Sequence, residues 1–127
     1  PNILLGTSLG EFTAMVLAGF ISFEMALRAV LLQAQSIENY CERGAMLAIL
    51  NRHELFEDLK KIYDIELAAV NFSEHFIISG DLWAINSIQS ELHQRNVPTF
   101  QLPVQHGFHS KLIDSAREKY LEKIAFI

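Results

Sequence analysis

Cysteine, proline and glycine are all scarce here, with one, three and six copies in 127 residues. A lone Cys41 cannot close an internal disulfide, so a disulfide scaffold is excluded; it fits a reducing compartment and reads as a small buried residue. Proline and glycine are too few for a low-complexity segment, and no internal repeat is visible. Positive charge is also short: ten Lys and Arg stand against fifteen Asp and Glu, a formal net charge of −5. The basic residues are scattered, which argues against nucleic acid as a partner. Long apolar runs are missing too, so neither a membrane span nor a secretory signal is expected, and the expected location is cytoplasmic.

Apolar residues make up 50% of the chain and charged residues 20%. That balance supports a packed core, and the length suits one domain. The sequence opens at Pro1 and runs straight into an apolar stretch, Ile3-Leu4-Leu5. A buried parallel strand needs neighbours on both sides. The chain is therefore expected to be an excerpt of a longer polypeptide.

The stretch that organises the rest is Gly6-Thr7-Ser8-Leu9-Gly10-Glu11. A strand over residues 2–5, a serine bracketed by glycines and a helix over 9–18 give the context of a nucleophile elbow. The turn is sharp, so small residues are expected at positions 6 and 10. The amide of Leu9 would lie at a helix N-terminus, where N–H groups favour negative charge, which is half an oxyanion hole. A tight turn whose serine only caps the helix reads the same way.

Gly19 ends the first helix, and Ser22 can cap a second that runs to about Cys41. Its apolar stripe is Phe23, Leu27, Val30, Ala34 and Ile37, with Glu24, Arg28 and Gln35 on the polar side. Gln33 falls beside Ala26, Val30 and Ile37, where an amide needs a partner, a pocket or a neighbouring backbone group. Strands are expected at 45–50, 66–71, 75–79 and 99–104. Between them, Asn51 and Glu54 suggest a capping box for a helix burying Leu55, Leu59 and Ile62. Asp81 can cap a helix presenting Leu82, Ile85, Ile88 and Leu92, closed by Asn96. Residues 45–104 thus read β-α-β-β-α-β, a ferredoxin-like unit. Ser110 can cap a last helix with Ile113, Ala116, Tyr120 and Ile124 inward. The fold class expected is α/β. Residues 1–44 would form part of a larger subdomain with the elbow, 45–104 the inserted ferredoxin-like unit, and 105–127 a return to the larger part.

Of five histidines, His53, His75 and His93 read as solvated surface residues. His106 and His109 stand in His106-Gly107-Phe108-His109-Ser110, between a strand and a helix. The spacing would allow two metal ligands, but no third lies at useful spacing, Asp114 being the nearest acid. An imidazole that takes the proton of a serine and returns it to a leaving group suits the pair of motifs better.

These residues, with Ala18-Gly19, Asn71 and Ser79-Gly80, resemble the malonyl/acyl-CoA:acyl-carrier-protein transacylase family, the acyltransferase domains of fatty-acid and polyketide synthases. The match runs in order over nearly the whole chain. It implies an α/β-hydrolase-like large subdomain with a ferredoxin-like insertion. It implies Ser8 as acyl nucleophile, His109 as its base and the Leu9 amide as an oxyanion donor. Phe108, His106, Asn71 and Gln33 would line the substrate site. Gly107 replaces the usual alanine of the histidine motif, which would loosen that wall, and Thr7 replaces the usual histidine before the serine.

The departure with most chemical weight is Gln33. Twenty-five positions after Ser8, the family places an arginine that clamps the carboxylate of a malonyl unit. Glutamine cannot make that bidentate, charge-assisted pair. A buried carboxylate without its partner costs about 3–5 kcal/mol. The resemblance is then to the acyl hydrolase subgroup of polyketide pathways, which strips uncharged acyl groups from acyl carrier protein. The alternatives are a malonyl or starter-unit transacylase, and an inactive acyltransferase-like docking domain. No metal or organic cofactor is implied. The implied partner is an acidic carrier protein, which Arg43, Arg52, Lys60, Lys61 or Lys111 could meet. The family's N-terminal oxyanion loop and its C-terminal carbonyl that orients the histidine have no counterpart in these residues.

Overall fold

The computed structural model describes residues 2–125. Residue 1 and residues 126–127, the outer ends of the expected spans, lie outside the described residues. In order the elements are α1 Gly10–Leu17, α2 Phe23–Tyr40, β1 Ala45–Ile49, α3 Leu55–Lys60, β2 Ile65–Phe72, β3 His75–Gly80, α4 Leu82–Gln94, β4 Thr99–Gln101, a 3-10 helix Lys111–Ala116 and α5 Arg117–Ile124. They divide into two compact units, one of residues 41–115 and one holding the remaining described residues.

The first unit is helical. Residues 2–7 form no strand, and Ile3 and Leu5 are 86% and 90% exposed. No other strand of this unit lies among the described residues, so the apolar run has no ladder to join. α1 ends in a Schellman cap: Gly19 has φ +77, and the Gly19 and Phe20 amides donate to the Val16 and Met15 carbonyls at 3.0 Å each. Ser22 caps α2 by accepting the Met25 N–H at 3.1 Å. The covered side of α2 matches the expected stripe only in part: Ile37 is buried and Val30 half-buried. Phe23, Leu27 and Ala34 are exposed, and the buried residues are Ala26, Ser36 and Ile37. Both α1 and α5 pack against α2, and Lys123 Nζ of α5 lies 3.5 Å from the buried Ser36 hydroxyl.

The second unit is an antiparallel four-stranded sheet in the order β2-β3-β1-β4. That is the ferredoxin-like order, and it follows from two β-α-β segments wound together. Alternation puts Ala45, Leu47 and Ile49 of β1 on the same face as Phe76 and Ile78 of β3. They meet Phe56 and Leu59 of α3 and Ile85, Ile88 and Leu92 of α4 in one core. Asp81 caps α4 by accepting the Ala84 N–H at 2.7 Å. Asn96, at φ +55, closes it with a Schellman cap.

Several details differ from expectation. The capping box at α3 does not form: Asn51 turns to the Arg52 N–H at 2.8 Å, and Glu54 makes no side-chain cap. A backbone turn over 52–56 starts the helix instead. Ile62 lies beyond the end of α3 and is 70% exposed, while Phe56 takes its place in the core. Leu82 points outward at α4, where Ala84 is buried instead. β4 stops at Gln101, before Pro103. After Ser110 the chain makes a 3-10 helix first, and the α-helix starts only at Arg117.

Candidate active site

Position 6 shows why the turn into α1 needs glycine. A Cβ on Gly6 would collide with the Gly10 carbonyl group, standing 2.6 Å from its carbon and 2.8 Å from the Glu11 nitrogen. The start of α1 therefore passes directly over Gly6. Position 10 makes no such demand among the described residues, since a Cβ there meets open space. Gly10 N donates to the Thr7 carbonyl at 2.9 Å and Glu11 N to the Ser8 carbonyl at 3.0 Å. Inside this turn Ser8 has φ +52, a left-handed conformation unusual for a residue with a side chain. Leu9 is the residue that leads into α1. Gln33 lies in the same unit, half-buried on the covered side of α2 between Ala26 and Ile37.

The histidine motif belongs to the second unit and is built against the sheet. Gly44 N donates to the Gln105 carbonyl at 3.0 Å. His106 Nδ1 lies 3.1 Å from the Glu42 carbonyl. A carbonyl only accepts, so the proton is on Nδ1 and Nε2 keeps its lone pair when the ring is neutral. The ring meets Phe108 edge to face at 6.1 Å between centroids. Gly107 is buried. His109 is exposed and, at φ +58, is also left-handed. Ser110 is buried; its hydroxyl donates to the Gly107 carbonyl and accepts the Leu112 N–H at 3.3 Å.

Gly107 does not loosen the wall as expected. A Cβ there would stand 2.8 Å from Leu112 Cδ1 and 2.9 Å from Ser79 Oγ. The loop already rests on the sheet. The Ser79 hydroxyl is wholly buried without a hydrogen-bond partner among the described residues. It borders a cavity of about 20 Å³ that Glu66, Ser110 and Lys111 also line. Such a space suits a water molecule and no acyl group.

Asn71 is exposed near the β2–β3 turn, where its amide donates to His75 Nδ1 at 3.2 Å. The Phe72 ring packs 5.0 Å from that imidazole, so His75 is half-buried rather than solvated. Cys41 is half-buried too, its sulfur 3.5 Å from the Ser115 hydroxyl. No group of three or more His, Cys, Asp or Glu that could hold a metal occurs among the described residues. No helix among them is long and apolar enough to cross a membrane. Three of the five basic residues considered for docking are paired with carboxylates: Arg52 with Glu54, Lys61 with Asp58 and Lys111 with Asp64. Sequence reasoning did not single out Glu66 or Glu42, because a strand glutamate and a backbone carbonyl carry no local signal.

The sequence is similar to a polyketide biosynthesis acyltransferase homolog, BaeD, of Bacillus velezensis, at 40% identity over 126 residues, 98% of this chain and 39% of that protein. It is as similar to PksD of Bacillus subtilis, named in the same words, at 40% over 123 residues, 96% of this chain and 38% of that protein. The chain thus spans about two fifths of the length of these relatives. Among solved structures, a loading acyltransferase of the avermectin modular polyketide synthase superposes with a TM-score of 0.89 at 27% identity, over 98% of this chain and 41% of that one. The fold class is that of polyketide synthase acyltransferase domains, α/β-hydrolase-like, of which this chain is a part. Residues 1–127 match the acyl transferase domain family, and the chain belongs to it.

Proposed function

We propose that this chain carries the nucleophile and base of an acyl-thioester hydrolase of polyketide biosynthesis, acting on uncharged acyl groups held by acyl carrier protein. One observation carries the assignment of roles. Among the described residues, three non-glycine residues have positive φ: Ser8, Asn96 and His109. Asn96 is explained by its helix cap. The other two are the serine and the histidine of the two motifs, and backbone strain of this kind concentrates at functional sites.

In the proposed reaction the Ser8 hydroxyl attacks the thioester carbonyl while His109 takes its proton. The Leu9 amide donates to the oxyanion that forms. The C–S bond then breaks, and the imidazolium returns its proton to the departing thiolate. A water attacks the acyl-enzyme with His109 again as base. Breaking the ester bond restores Ser8 and releases the carboxylic acid. Phe108, His106 and Asn71 line the acyl site, and the half-buried Gln33 faces the acyl group with an amide. The chemistry calls for no metal or organic cofactor. The partner is the carrier protein, and the reaction takes place in the cytoplasm.

The test uses the full-length protein with a panel of acyl-carrier thioesters, followed by intact mass and by release of free acid. Short uncharged acyl groups should be hydrolysed, and Ser8→Ala should abolish both adduct and release. Gln33→Arg should gain malonylation from malonyl-CoA that the parent lacks. Rapid malonylation of the parent would instead mark a transacylase. No adduct with any thioester, and no change on Ser8→Ala, would mark a docking domain.

A further inference from the structure

His109 occupies a left-handed backbone conformation that is unfavourable for a residue with a side chain, so something must hold it there. The N-terminal side of its loop is tied by Gly44 to Gln105 and by His106 to the Glu42 carbonyl. The C-terminal side is tied differently. Lys111, two residues on, is the first residue of the 3-10 helix, so its N–H has no partner within that helix. Glu66 supplies one: its carboxylate Oε1 accepts the Lys111 N–H at 3.1 Å, from 45 residues earlier in the chain. Glu66 stands on β2, an edge strand of the sheet, and reaches the loop from there. The Lys111 ammonium also pairs with Asp64 at 2.7 Å and 2.8 Å. Both of those side chains are more than half exposed, 57% and 73%, so this pair holds geometry weakly in water.

We infer that Glu66 is a positioning residue for His109. By accepting the Lys111 N–H it fixes the end of the loop on the edge of the sheet, and so fixes where the imidazole stands. This rests on the reading of His109 as the base. The side chain acts through one main-chain bond, so an amide oxygen at position 66 should serve as well as a carboxylate.

The experiment measures single-turnover acyl-enzyme formation in the full-length protein by rapid-quench mass spectrometry, with thermal melts to verify folding. Glu66→Leu should slow acylation roughly ten- to a hundredfold, as expected for a base displaced by about an ångström, with the thioester KM little changed. Glu66→Gln, which keeps an oxygen to accept the Lys111 N–H, should stay near the parent rate. His109→Ala is the control: if it leaves acylation unchanged, the assignment of the base has failed. If His109→Ala abolishes acylation while Glu66→Leu matches the parent, only the role of Glu66 is overturned. A Glu66→Gln variant as slow as Glu66→Leu also overturns it, since charge would then matter more than the bond. Should Glu66→Leu not fold, amide exchange by NMR decides in the parent. Protection at the Lys111 N–H supports the bond, and exchange at the rate of a free amide overturns it.

Discussion

Gly107 rests on Ser79: a methyl group added to the glycine would stand 2.9 Å from the serine Oγ. The two residues come from the histidine loop and from β3, and they set how low the loop sits on the sheet. Gly107→Ala, which restores the alanine common in the family motif, must push the loop, Ser79 or the Leu112 side chain. Overpacking of this kind costs about 1–3 kcal/mol. Ser79→Ala removes the clashing oxygen together with an unpartnered buried hydroxyl, so it should be near neutral alone. In combination it should recover a good part of the loss. Urea midpoints of the parent, both single variants and the double variant measure this coupling.

At the elbow the two glycines should respond differently. A Cβ at Gly6 meets backbone, which cannot swing aside as a side chain can. Gly6→Ala should therefore move the start of α1 and disrupt the Ser8 conformation, with acyl-enzyme formation lost in intact mass spectra. Gly10 is the first residue of α1, with open space around its Cα among the described residues. Gly10→Ala should keep the adduct.

How far the sequence predicted these features depends on what each signal encodes. The β-α-β-β-α-β order was legible because alternation and cap residues such as Asp81 and Asn96 are local properties. The tight turn before α1 was legible because Gly6, Ser8 and the helix after them are consecutive. The inward face of α2 was not, since both sides of that helix carry apolar residues. Tertiary packing, with α1 and the sequence-distant α5 both against α2, decides which side is covered, and Ala26, Ser36 and Ile37 are the residues buried. Ile3-Leu4-Leu5 has the composition of a strand, but a strand exists only where a neighbour pairs with it. The support under the histidine loop was also hidden. The contacts of Glu66 with Lys111 and of Ser79 with Gly107 join residues far apart in sequence, and neither follows a periodic pattern.

Helix α4 carries caps at both ends that can be tested separately. The Asp81 carboxylate accepts the Ala84 N–H at 2.7 Å. Asp81→Ala should cost about 1 kcal/mol, within the usual range for a lost N-cap. Asn96 holds a left-handed conformation that glycine adopts without strain. Asn96→Gly should therefore be neutral or slightly stabilising, and Asn96→Val destabilising. Denaturant midpoints at constant m-value would report all three.

The alkaline limit of stability should depend in part on Tyr63. Its ring packs against the core of the second unit and lies 6.0 Å from Trp83. Its hydroxyl donates to Glu91 Oε2 at 3.2 Å. Burial, and then the neighbouring carboxylate, push the phenol pKa above its ordinary value. Up to the unfolded pKa of about 10 the phenol is protonated in both states, and its contribution is fully present. As pH rises from there toward the folded pKa, the unfolded chain releases a proton that the folded one keeps. Stability then falls. Tyr63→Phe cannot ionise, so it should be somewhat less stable at neutral pH for want of the Glu91 bond, yet lose less between about pH 9 and pH 11. Tyr120, whose pKa burial also raises, should keep part of the slope in that variant. Urea midpoints across the range, read beside tyrosinate absorbance, would decide the matter. Parallel curves for parent and variant would mean that Tyr63 ionises alike in the folded and unfolded chain.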